Sequence, residues 1–227
     1  TTSFYMRILR AVYNRAVESG AVEQCHPFRH VYTGVGKTAK RALSLSVIRK
    51  IKLLDLSALP QADYARDMFM MSFYFRGMSF IDMAFLRKTD LRCGYITYRR
   101  RKTGQTLVIK WTADMQEILD KYAMNPTEYL LPIIISNGVA DRVAYLRAGN
   151  HINYQLKKIA VMVGVTVPLT MYCARHSWAS AARAKGVPVS IISEGMGHDS
   201  EATTRIYLEA LDTSSVDKAN DKILRSL

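Results

Sequence analysis

Two short stretches hold side chains that could work together on an anion. TMYCARHSWAS, residues 170 to 180, sets Arg175 and His176 in an otherwise apolar helix. A guanidinium on such a face is costly to bury unless something pairs with it. A visiting anion would serve, and so would local carbonyls or a carboxylate. GMGHDSEATTRIY, residues 195 to 207, places His198 after a Gly-x-Gly turn and Tyr207 nine positions further on. The chain has 13 tyrosines, so composition does not single out Tyr207. The chemistry that would use these types is transfer of a DNA phosphodiester onto a side chain. A nucleophile becomes esterified to phosphorus, cations neutralise the pentacoordinate transition state, and an acid protonates the departing 5′ oxygen. A tyrosine, two arginines, a lysine and a histidine supply this without a metal.

Elements that could position such groups are visible in the periodicity. Phe4, Ile8, Val12 and Ala16 recur every four residues and predict an amphipathic helix ending at Gly20. Its apolar face needs something to pack on, and no initiator Met is present, so the sequence reads as starting inside a larger domain. Residues 26 to 43 are rich in Gly, Thr and Lys and read as a basic linker. Ser44 or Ser46 starts a helix to about Leu54. A long apolar helix over 62–76 stops at Gly77, and Ser79 with Asp82 opens another, to about Leu86. The period then changes. Tyr95-Ile96-Thr97-Tyr98 and Leu107-Val108-Ile109 flank Lys102-Thr103-Gly104-Gln105 and predict a β-hairpin with a basic turn. Helices follow at about 112–123, 141–163, 173–185 and 188–196. The fold class is α+β, mostly helical, with one small antiparallel sheet.

The 227 residues carry 32 Lys and Arg against 19 Asp and Glu, a net charge of +13, which points to a polyanionic partner such as nucleic acid. Met68 to Phe75 is the longest apolar run and is too short to span a bilayer. No export signal is visible. Three widely spaced cysteines, Cys25, Cys93 and Cys173, read as free thiols in a reducing compartment. His26 and His30 lack further ligands, and no glycine-rich phosphate loop is present, so no metal or other cofactor is called for. The expected location is cytoplasmic and DNA-associated.

The ordered pair ARHSWAS and GMGHDSEATTRIY resembles the tyrosine recombinase, or phage integrase, family. There an Arg followed by His-Ser/Thr-Phe/Trp-Ala precedes Leu/Met-Gly-His, and the nucleophilic Tyr lies nine residues past that His. YRRRKTG, residues 98 to 104, resembles the family's mobile hairpin turn with its catalytic Lys. The resemblance spans about residues 44 to 212. It implies the family's catalytic domain, with Tyr207 as nucleophile, Arg175 holding two phosphate oxygens, Lys102 as general acid and His198 bonding the phosphate. His176 would brace the helix. Residues 1–30 would be the end of a helical core DNA-binding domain, 31–43 a linker, and 44–227 the catalytic domain with a C-terminal exchange helix. The partners implied are double-stranded DNA, further copies in a tetramer on DNA, and optionally an accessory DNA-bending protein.

Two positions depart from the family pattern. Tyr172 stands where a His is usual; it can bond a phosphate but is a poor base near neutrality. Ser79 stands where the first Arg belongs. Arg76, three residues earlier, could swing to the same phosphate, or an arginine from 99 to 101 could fill the gap. Site-specific recombination is the function implied. A type IB topoisomerase and a non-catalytic DNA-binding relic of the fold are the rivals. In the tail, Val216, Ala219, Ile223 and Leu227 form an apolar stripe after a Ser214 or Ser215 cap.

Overall fold

A computed structural model describes residues 2–34, 42–135, 138–198 and 200–208, the side chains of 206 and 207 excepted. The expected C-terminal helix and part of the linker lie outside these residues. The chain divides into two compact units, Thr1–Lys40 and Arg41–Leu227.

The first unit holds helix α1, Thr2–Glu18. It closes on Gly20 in the left-handed conformation, with the Ala21 amide reaching the Ala16 carbonyl at 2.9 Å. The Tyr13 hydroxyl accepts from the Cys25 amide and donates to the Glu23 carbonyl, folding the following segment back on the helix. None of α1 is buried, and Phe4, Ile8 and Val12 remain about half exposed. The predicted apolar face is therefore uncovered among the described residues.

The second unit is built around α3, Pro60–Tyr74, whose Ala65, Met68, Phe69 and Met71 are fully buried. Helix α2, Leu45–Leu53, precedes it and is capped by the Ser44 hydroxyl on the Val47 amide. The short α4, Phe80–Ala84, follows it. Strands β1 (Leu91–Arg92), β2 (Tyr95–Arg99) and β3 (Thr106–Lys110) form one antiparallel sheet in that order, with Ile96 opposite Ile109 and Tyr98 opposite Leu107. Strict alternation puts Ile96 and Tyr98 inside and Tyr95, Thr97 and Arg99 outside. Helices α5 (Ala113–Asp120), α6 (Asp141–Met162), α7 (Met171–Ala184), α8 (Val189–Met196) and α9 (Glu201–Leu208) complete the unit. A main core spans α2 to the start of α7. A smaller one, Ala179, Ile192, Met196 and Leu208, joins α7, α8 and α9.

The α+β, mostly helical architecture is the one read from the sequence, and element ends shift by at most three residues. Strand β1 was not anticipated; two residues carry no alternation to read. Helix α4 stops short of Leu86 because Leu86 turns its carbonyl to the Leu130 amide at 2.7 Å. No helix among the described residues is long and apolar enough to cross a membrane.

Candidate active site

Two helix ends form the frame. Helix α8 ends on Gly197 in the left-handed region, with its amide on the Glu194 carbonyl and the His198 amide on the Ser193 carbonyl. This is a Schellman closure, and it fixes the backbone of His198. Helix α3 ends the same way, with the Arg76 amide on the Phe73 carbonyl and the Gly77 amide on the Ser72 carbonyl. Here the structure corrects the sequence reading, in which Arg76 closed the helix and Gly77 was the stop. Helix α3 ends at Tyr74, and Arg76 itself takes the left-handed position at φ 58°. Gly77 follows at φ 75°, where a Cβ would lie 2.7 Å from the Arg175 Cα. Only a glycine permits α7 to come that close.

Arg175 spans these two ends. It is 5% exposed. Nη1 donates to the Gly77 carbonyl at 2.6 Å and Nη2 to the Met196 carbonyl at 2.8 Å. Nη2 also lies 2.8 Å from His198 Nε2. Carbonyls at helix C-terminal ends carry partial negative charge, which favours a cation there. Of the sequence's alternatives for Arg175, local carbonyls are thus in place, and they hold the guanidinium in one plane. The second His198 nitrogen, Nδ1, lies 2.7 Å from the Thr204 hydroxyl of α9. Burial, then the charges of Arg175, Arg100 and Lys102, push the His198 pKa down to about 4, so the ring is neutral near pH 7.

The hairpin supplies more cations. Arg100 opens the turn after β2, is 6% exposed, and donates through Nη1 to the Gly197 carbonyl. Lys102 is exposed two residues later, near enough for its charge to reach His198. The turn is tied down from the other side as well. The Arg101 amide donates to Asp82 Oδ1 at 2.9 Å, and the Arg101 guanidinium lies 3.9 Å over the Phe85 ring. Asp82 is itself buried, and its other oxygen accepts from the Ser79 hydroxyl at 2.6 Å. Burial holds the Tyr98 phenol well above the usual tyrosine range; Asp82 adds to this, while Arg175, Arg100 and Arg76 oppose it. Those four charges therefore surround one buried ring. The Arg76 side chain runs past α8, where a Cβ at Gly195 would lie 3.7 Å from its Cδ.

The structure thus brings Arg175, His198, Lys102 and Arg76 to one region. Tyr172 faces a neighbouring cavity of about 380 Å³, lined also by Met78, Ser79, Phe80, Tyr145 and Arg175. Tyr172 is 45% exposed, and its ring stands edge-on to His176 at 4.5 Å. Tyr207 lies in the last turn of α9, and its side chain is outside the described residues. Sequence reasoning missed Thr204 and the anchoring role of Asp82, and it left Arg100 as one of three. A signal for Arg100 was present: the alternation that buries Ile96 and Tyr98 continues to residue 100. No group of His, Cys, Asp or Glu suited to a metal occurs among the described residues.

No protein-family model matches the sequence. A tyrosine recombinase of Pseudothermotoga lettingae is 24% identical over 177 residues, covering 74% of this chain and 57% of that protein. The chain therefore spans little more than half the length of this curated relative. Among solved structures, the integrase of transposon Tn1549 in complex with a circular intermediate DNA matches with a TM-score of 0.68 at 15% identity, over 95% of this chain and 77% of that one. A lambda integrase fragment, a dimer bound to a core site, gives 0.64 at 16% identity, over 89% and 71%. XerA recombinase gives 0.58 at 17%, over 93% and 73%. At these identities the structural likeness shows the fold, which is the one shared by these recombinases and integrases, and the sequence relative points the same way.

Proposed function

We propose that this chain cuts and rejoins DNA at specific sites through a 3′-phosphotyrosine on Tyr207. The Tyr207 hydroxyl gives up its proton to solvent and its oxygen bonds to phosphorus as the bond to the 5′ oxygen breaks; Lys102 protonates that departing oxygen and regains a proton from solvent, so the count closes. Attack by another 5′ hydroxyl reverses the step and joins strands, so no outside energy source is needed. The observation that carries the reading is the buried Arg175–His198 pair, set in a frame of helix ends just before the helix that bears Tyr207. The fixed plane of Arg175 suits two phosphate oxygens and loses little freedom when it binds them. Tyr172, exposed beside the adjoining cavity, contacts the DNA backbone.

Two arginines can replace the one absent at Ser79. Burial beside Gly197 and a charge felt at His198 favour Arg100. The left-handed backbone of Arg76, a conformation that costs a residue with a Cβ about 1 kcal/mol, favours a role for that side chain too. Double-stranded DNA is the substrate, in keeping with the net charge of +13. A lambda integrase tetramer on a Holliday junction is among the structural neighbours, and four subunits on DNA are the assembly proposed here. The test is a nicked suicide substrate. The protein should become covalently attached to it, and Tyr207→Phe should lose the adduct while still binding DNA. An adduct that survives in Tyr207→Phe refutes the assignment.

A further inference from the structure

We infer that Thr204, one helical turn before Tyr207 on α9, is a positioning residue that selects the tautomer of His198 and ties that ring to the nucleophile's helix. Its bearing on catalysis rests on the strand-cleavage reading above; the tautomer itself does not. The argument starts from Arg175. A guanidinium has only donors, so the His198 Nε2 that lies 2.8 Å from Arg175 Nη2 must offer a lone pair. A neutral imidazole with a bare Nε2 carries its proton on Nδ1. That proton points at the Thr204 oxygen, 2.7 Å away. Burial and three neighbouring cations keep the ring from gaining a second proton near neutral pH.

Thr204 is completely buried, and His198 is 7% exposed, so water is a poor substitute for the hydroxyl. The backbone of His198 is separately fixed by its amide bond to Ser193. Backbone and Nδ1 are thus both anchored, and the Nε2 edge is left directed at the Arg175 guanidinium. His198 therefore takes its alignment from a side chain on the helix that carries Tyr207, and Arg175, held by two carbonyls, gains a further contact through that ring. Displacement of α9 would release the His198 ring and remove its contact with Arg175.

The test combines a spectroscopic readout with a conservative rescue. In protein labelled with ¹⁵N-histidine near pH 7, His198 should show a protonated-type resonance at Nδ1 and an unprotonated-type resonance at Nε2. Thr204→Val keeps the shape and removes the acceptor, so it should reverse or average that pattern and slow cleavage of a suicide substrate by about 10- to 100-fold. Thr204→Ser should retain both the pattern and most of the rate. A wild-type spectrum with the proton on Nε2 overturns the inference, even if Thr204→Val does not fold. So does a slowed Thr204→Val whose spectrum is unchanged, or a Thr204→Ser as impaired as Thr204→Val. The spectrum requires no DNA. A wild-type chain with the expected tautomer and no cleavage would therefore count against the strand-cleavage reading and leave the tautomer selection standing.

Discussion

The α7–α8–α9 side of the site and the α3–α4 side use the same local device, a helix closed by a left-handed residue whose neighbouring carbonyl binds Arg175. They fill it differently. At the end of α8 a glycine takes the left-handed position, and His198 follows in an ordinary conformation. At the end of α3 the arginine takes it, and the glycine comes next. On the first side the glycine relaxes the backbone, and Arg175 and His198 meet at 2.8 Å. On the second, Ser79 caps α4 and gives its hydroxyl to Asp82, and that carboxylate also holds the hairpin through the Arg101 amide. The α3–α4 side thus has a serine where a guanidinium would be, and it is bound to the turn that carries Arg100. On the reading proposed above, the cation absent from one element is supplied by the element tied to it.

Arg175 belongs to both sides, so its replacement is the harshest way to test the comparison. Arg175→Lys keeps the charge but cannot reach both carbonyls and His198 from one plane. It should be nearly as damaging as Arg175→Ala, with single-turnover cleavage down about 1,000-fold or more. The melting temperature should fall as well, since two buried carbonyls lose their donor. Cleavage within tenfold of wild type in the lysine variant would mean that charge alone suffices and that the two-sided frame is incidental.

The two candidate cations on the weaker side can be separated next. Arg100→Ala should slow cleavage by about 100-fold. Arg76→Gly is the sharper probe at the other position, because it removes the side chain and relaxes the left-handed backbone together. It should stabilise the fold by about 1 kcal/mol in thermal or denaturant unfolding. A loss of cleavage alongside that gain would show a side chain kept for function against local strain. Unchanged cleavage would leave Arg100 as the second cation by itself. Ser79→Arg, placed in the Arg100→Ala background, should recover part of the lost rate if the two positions serve one phosphate.

The same contrast explains what the sequence made legible. Arg175 and His198 were legible because the two motifs name both by residue type and order, and the structure brings them together; Tyr207 came from the same resemblance, and its side chain lies outside the described residues. The hairpin was read from its β-branched and aromatic runs, and the alternation that buries Ile96 and Tyr98, carried two residues on, would have chosen Arg100 over Arg99 and Arg101. The α3 end was misplaced because Arg76-Gly77 offers a glycine, and glycine is the usual left-handed residue. What decides the register is the approach of Arg175 Cα to Gly77, a contact between positions 98 residues apart. Asp82 escaped notice for a similar reason. Its partner is a backbone amide in the hairpin, which no residue type reveals. Thr204 sits inside a recognised motif, yet its role depends on the ring nitrogen it meets.

The smallest expected effect probes the relaxed side alone, through the pH dependence of stability. His198 titrates near 4 in the folded chain and near 6.5 once unfolded. Between those values the unfolded chain holds more protons, so acid favours unfolding. The contribution is fully present above about pH 6.5 and declines as pH falls toward 4, amounting to at most about 3 kcal/mol over the whole window. Between pH 7 and 6 it is only a few tenths of that. Carboxylates titrate in the lower part of the same range, so the quantity to measure is a difference. Unfolding free energies of wild type and His198→Gln, taken from pH 4 to pH 7, should converge as the pH falls. Burial is the largest cause of the shift and Arg175 the next, with Arg100 and Lys102 behind. Lys102→Ala should therefore leave the convergence nearly intact. Parallel curves for wild type and His198→Gln would mean that the ring is hydrated and titrates normally, which would remove the distinction between a fixed side and an improvised one.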